Sequence, residues 1–155
     1  MTAVTVRPVR SRADERRFVD FIYAHYCGYE HWVAPLRLER RKLIDTRTNP
    51  FYRHAERELY LAERGGRVVG RIGAIVNHSH NRHHRDRVGF FGFFESVDDQ
   101  AVAAALLDAA RTYLRGRGMD AMRGPASPSV NDEYGLLVEG FDAPPAVMMP
   151  YNPPY

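Results

Sequence analysis

VGFFGFFES–VDDQ–AVAAALLDAARTYLRGRGM–DAMRG, residues 88–124, reads as strand, turn, helix and strand in immediate succession. The near-continuous aromatic content of Gly89 to Phe94 predicts a strand buried on both faces. Ser96 and Asp99 stand at capping-box spacing before the helix. Val102, Leu106, Ala109 and Tyr113, with Ala105, Ala110 and Leu114 beside them, form a broad apolar stripe at helical period, and Gly116 and Gly118 stop it. Asp120 to Gly124 is a second short strand. A crossover helix between two strands makes them parallel neighbours. A helix N-terminus at the end of a buried strand is a natural anion site, because unpaired N–H groups and the helix dipole point there. This turn, however, carries Glu95, Asp98 and Asp99 in place of glycines.

Working outward, Thr2 to Val9 alternates and predicts a first strand. Ser11 opens a helix with Asp14 as its capping-box partner, and Phe18, Ile22 and Tyr26 form its apolar face. Tyr29 to Pro35 is an aromatic loop around Trp32, and Leu36 to Ile44 a short charged helix. Gly65-Gly66 supplies the turn of a hairpin whose second strand runs through Val68 to Val76, with Gly70 and Gly73 hinting at a bulge or a close backbone approach. Asn77 to Arg87 is expected to be a polar loop. The segment from Pro125 onward is rich in Pro, Asn and Gly, with a short helix at 132–138 and a strand at 146–149 as expectations. The order predicts an α+β fold: a mostly antiparallel, mixed sheet flanked by helices on both faces.

Bulk properties narrow the function classes. The 155 residues fit one domain, and 45% hydrophobic with 26% charged residues is a globular composition. No apolar run reaches the roughly 20 residues of a membrane helix, and the N-terminus lacks a signal-peptide core, so a cytoplasmic protein without membrane contact is expected. The net charge is +3, almost all of it from arginine; Lys42 is the only lysine. Arginines interleaved with acids, and no recognised motif, give no reason to expect nucleic acid as a partner. The single cysteine, Cys27, excludes an internal disulfide and is expected to be a buried or half-buried structural thiol.

This order, together with ELYLAERGGRVVGRIGAIVNHSHN, RVGFFGFFESVDD, NDEYGLLVEGFD and MMPYNPPY, resembles the GNAT superfamily of acyl-CoA N-acyltransferases. More narrowly, it resembles the N-terminal domain of a bacterial tandem-GNAT-like group whose chains are about twice as long. The resemblance implies a GNAT-like sheet left incomplete at its C-terminal end, and a single domain, 1–155, at the front of a longer protein. It also implies transfer of an acyl group from acetyl-CoA or another acyl-CoA to a small-molecule amine or amino-acid-like acceptor, without a metal. A second GNAT-like domain or a homodimer is the implied macromolecular partner. Active GNAT domains carry Arg/Gln-x-x-Gly-x-Gly/Ala where this chain has Glu95-Ser96-Val97-Asp98-Asp99-Gln100. The carboxylates would repel a pyrophosphate, and the resemblance places a Gly-rich loop in the second domain.

The chemistry sought is a base for an amine and a donor for a thioester oxygen or thiolate. By position Glu95 is the base candidate; its alternative reading is a carboxylate that favours the helix dipole. Val97, Asp98, Asp99 and Gln100 are the cofactor-loop candidates, with Asp98 and Asp99 equally readable as caps. Tyr134 is a candidate acid, and Asn131 a substrate contact or a helix N-cap. Trp32, with Tyr151 and Tyr155, lines a substrate groove or packs against a second domain. His78, His80, His83 and His84 invite a metal reading, but no carboxylate or cysteine spacing completes a motif, and a polar loop is the reading adopted.

Overall fold

The computed structural model describes residues 3–146 and 150–155. Ten-residue and eleven-residue strands β2 (Ala55–Arg64) and β3 (Arg67–Asn77) form the hairpin around which the sheet is built. Gly65 and Gly66 take φ of 57° and 78°, as the two-residue turn requires. Strand β1 (Thr5–Pro8) flanks β2, β4 (Val88–Ser96) flanks β3, and β5 (Ala121–Arg123) lies beside β4, giving the order β1-β2-β3-β4-β5. All pairs are antiparallel except β4–β5, which is parallel, as the crossover predicted.

Helices cover both faces. On one, α1 (Arg12–His25) and α2 (Arg37–Ile44) bury Phe18, Val19 and Ile44 against Leu59, Leu61, Ile75, Phe90 and Phe93. The Ser11–Asp14 capping box forms at 3.0 and 3.2 Å. On the other face, α4 (Gln100–Gly116) buries Val102, Leu106, Ala110 and Leu114 against Ala62, Ile72, Ala74 and Val76. Each buried Leu of that stripe contributes about 1.5–3 kcal/mol by leaving water. Gly70 of β3 lies directly beneath it: a Cβ there would stand 2.7 Å from Leu106.

One irregularity decides where side chains point. Arg71 pairs with Glu95 and Gly73 with Gly92, so Ile72 alone opposes Phe93 and Phe94. This β-bulge puts Phe93 at φ 51° and shifts the strand's alternation by one residue. Val88, Phe90 and Phe93 therefore join the α1 side, and Phe91 and Phe94 the α4 side. The amide of Phe93 is satisfied by the buried Ser127 hydroxyl, 2.7 Å away. At Gly92 the chain after β5 passes so close that a Cβ would fall 1.7 Å from the Ala126 carbonyl oxygen.

Several expectations are corrected. Residues 78–84 form a short helix, α3 (His78–His84), rather than a polar loop, because the Asn77 side chain caps it through His80 N–H at 3.0 Å. Residues 132–138 are not helical. Ser127 N–H bonds to Glu133 O and Gly135 N–H to Pro125 O, drawing the segment into an antiparallel bridge, Ala126–Tyr134. Ser96 is not part of a capping box: Asp99 alone caps α4, accepting from Ala101 N–H at 2.8 Å. Cys27 is exposed, since it lies beyond the end of α1. The strand expected at 146–149 falls largely outside the described residues.

Gly92→Ala should destabilise the fold by about 3 kcal/mol or more, because the added methyl meets backbone rather than a side chain that can rotate away. Gly116→Ala, in open space at the last position of α4, should stabilise it by about 0.5–1 kcal/mol. Urea midpoints at unchanged m-value test both.

Candidate active site

The bulge delivers Glu95 to the α1 face, where a strand partner and three other elements meet it. Arg71, 4% exposed, is its cross-strand partner on β3. Tyr26, 1% exposed at the end of α1, donates its phenol O–H to Glu95 Oε2. Arg40 of α2 pairs with Glu133 of the loop after β5 at 2.5 Å. These five side chains form the floor of a cleft of about 360 Å³. Its walls are aromatic: Trp32 stacks on Tyr26 with centroids 5.3 Å apart, and Tyr151 meets Tyr26 edge-on at 5.9 Å.

Burial sets the electrostatics. Removing Glu95 from water pushes its carboxyl up to about 7, against the opposing pull of Arg71 and of the Tyr26 hydrogen bond. Burial and the neighbouring Glu95 charge both raise the Tyr26 phenol, so it stays a proton-bearing donor. Burial lowers Arg71, with Glu95 opposing. A carboxyl balanced near neutrality, held by a phenol and open to a cleft, can take a proton from a bound nucleophile.

The turn into α4 is built differently. Val97 N–H bonds to Val69 O, Asp99 N–H to Val97 O, and Ala101 N–H to the Asp99 carboxylate. Among the described residues only Asp98 and Gln100 retain a free turn N–H. Asp99 is also paired with Arg64 at 2.7 Å, and that contact together with the Ala101 amide holds its carboxyl below the usual range. Val97, Asp98, Asp99 and Gln100 do line a groove of about 550 Å³, which continues from Glu95 past Leu136, Val138 and Phe141. Two adjacent carboxylates, with two of the four turn amides already engaged, do not fit a pyrophosphate.

Among solved structures, a tandem GNAT protein from the clavulanic acid biosynthesis pathway superposes with a TM-score of 0.60 at 15% identity, covering 82% of this chain and 38% of that one. The aminoglycoside N-acetyltransferase AAC(6')-Iy, in complex with CoA, superposes with a TM-score of 0.54 at 14% identity, covering 83% and 80%. This chain has the GNAT fold. No family model matches its sequence. Two curated relatives do: "Bacterial ceramide synthase" of Caulobacter vibrioides (strain NA1000 / CB15N), 41% identical over 153 residues, and "Protein YghO" of Escherichia coli (strain K12), 35% identical over 150. Those alignments take in 98% and 97% of this chain, which spans 40% and 38% of the relatives' own lengths.

Within the GNAT fold the residues singled out from sequence do not all converge. Glu95 and Trp32 share the first cleft. Tyr134 and Asn131 line a separate pocket of about 210 Å³ with His54, His80 and Arg123, away from Glu95, so neither completes a site with it. Asn131 caps no helix; its N–H bonds to the Ser129 hydroxyl. Tyr155 reaches Ser96 O at 3.2 Å and His25 at 3.1 Å, and lines the second groove. His80 packs on His84 and edge-on to Phe90, and no group of three metal-binding side chains occurs among the described residues. Sequence did not single out Arg71, Tyr26, Arg40 or Glu133 as site residues. Arg71 carried a signal: it is in phase with Gly73 and Ile75, the inward positions of β3.

Glu95 titrates near 4.5 unfolded and about 7 folded. Below pH 4.5 both states hold the proton. Rising pH ionises the unfolded chain first, so Glu95 withdraws stability through pH 4.5–7 and the loss is complete above 7. Wild-type stability measured against Glu95→Gln should fall by an amount on the order of 3 kcal/mol across that window and stay level above it. Parallel denaturant titrations of the two proteins from pH 4 to 8.5 check this.

Proposed function

We propose that this domain is the acceptor-side half of an N-acyltransferase, with Glu95 as the base that takes the proton from an amine seated in the cleft. The observation that carries the reading is the buried Glu95 carboxyl, held by Tyr26 at the floor of an aromatic cleft on a GNAT fold. An ammonium entering the cleft must lose a proton before nitrogen can act as a nucleophile, and a carboxyl near pH 7 suits that transfer. Tyr26 fixes the carboxylate through Oε2 and leaves Oε1 for the amine. Trp32, half-buried, and Tyr151 supply apolar walls that exclude water from the proton transfer.

Amide formation agrees with the name of one curated relative, since a ceramide is an amide. The acyl donor belongs to a different part of the protein. The engaged amides and carboxylates of the Val97–Gln100 turn argue against acyl-CoA on this chain, and the relatives extend well beyond its length. The domain 1–155 is accordingly proposed as one unit of a tandem arrangement. A second reading, a substrate-holding domain with no chemical role, draws on the same occupied turn.

Two measurements separate the readings. In the whole gene product, Glu95→Gln should lower kcat for acyl transfer to an amine about 10²–10⁴-fold, followed as release of the CoA thiol. Unchanged turnover would leave the substrate-holding reading. Calorimetric titration of acetyl-CoA into residues 1–155 should show no saturation at millimolar ligand; micromolar binding would return the donor site to this chain.

A further inference from the structure

The floor of the cleft holds guanidinium donors that its own residues leave unsatisfied. Arg71 uses one donor, Nη1, to reach the Phe18 carbonyl at 2.9 Å, and its guanidinium lies over the Phe18 ring at 5.0 Å. Its Nε is buried without a partner, and its Nη2 makes no hydrogen bond among the described residues. Nε and Nη2 are the two donors of one guanidinium edge, the fork that matches a carboxylate or phosphate. No carboxylate of the described residues lies within 4.0 Å of Arg71. Arg40 repeats the pattern: Nη2 is paired with Glu133, and Nε is buried and unpartnered. The floor therefore sets two guanidiniums, each with an unpartnered edge nitrogen, against Glu133, which is paired with Arg40, and Glu95, which is held by Tyr26.

A buried guanidinium with an unmatched edge is costly, and a ligand that completes it recovers that cost. We infer that the cleft accepts an amine that also carries an acidic oxygen group, a carboxylate or a phosphate ester, seated on the free edge of Arg71 with Arg40 beside it. This inference rests on the acceptor-side reading above and adds the acceptor's chemical class to it. The acid group anchors the molecule, the amine then falls beside Glu95, and ionised Glu95 competes with the ligand for Arg71. Arg71 is thus a specificity-determining residue.

Two pairs that share an amine and differ in the acid group test it on the whole gene product: β-alanine against propylamine, and phosphoethanolamine against ethanolamine, titrated by calorimetry or by ligand-observed NMR. At least one acidic member should bind tenfold or more tightly than its neutral counterpart, and the pair that does so identifies carboxylate or phosphate as the group. Arg71→Met should bring the ratio close to one. Glu95→Gln should raise the acid-to-neutral ratio several-fold, since the amine common to both members cancels and a folding defect cannot imitate the gain, and Arg40→Gln should lower it, so the test survives if Arg71→Met does not fold. Equal binding within both pairs, or a lower acid-to-neutral ratio in Glu95→Gln, overturns the inference. A ratio near one in a protein that still transfers acyl groups removes this inference alone; a high ratio in a protein that transfers none removes the acyltransfer reading alone.

Discussion

One extra residue in β4 determines the character of this molecule. The bulge at Phe93 breaks strict alternation, so a side chain that would have packed beneath α4 instead faces α1. Three features hold it in place. Ser127 accepts the Phe93 amide, Gly92 yields space to the passing Ala126 carbonyl, and Phe18 packs edge-on against the Phe93 ring at 6.0 Å. A non-glycine residue at positive φ persists only where its surroundings over-determine it. Here they do, and the result is that Glu95 and Arg71 occupy the same buried face with Tyr26 above them.

The cleft and the α4 turn lie at the same end of β4 yet obey opposite physics. In the cleft, ionisable groups are stripped of water and left partly unmatched, which gives them chemical potential for a ligand. In the turn, two of the four amides and one of the two carboxylates are already spent within the chain: Asp99 on Ala101 and Arg64, Val97 on Val69. A turn that sets its two remaining amides beside two carboxylates has little to offer a phosphate. The proposed division of labour, acceptor here and donor elsewhere, follows from that contrast more than from any single residue.

The layered architecture was legible because it depends on period. Alternation gave the strands, the Val102–Leu106–Ala110–Leu114 stripe gave α4, Gly65-Gly66 gave the hairpin, and Ser11–Asp14 gave the start of α1. The site was legible only at Glu95, Trp32 and Tyr151. Its other members are scattered over β3, α1, α2 and the loop after β5, and nothing local marks them as neighbours. The bulge is the deeper reason. Without it, counting by twos from Phe90 puts Glu95 on the wrong face, so no reading of local pattern could pair it with Arg71. The segment around Tyr134 failed for a related cause: its conformation is set by two backbone hydrogen bonds to residues 125–127, which propensity does not report.

The cationic make-up of the chain has a chemical consequence beyond charge. Guanidiniums remain protonated and do not attack activated acyl groups at neutral pH, whereas an ε-amine does. Lys42, exposed on α2, is the one such side chain in 155 residues. A chain whose cations are almost all guanidinium therefore leaves Lys42 as its one amine side chain, and the exposed Cys27 as its one thiol, open to acylation by an activated acyl group.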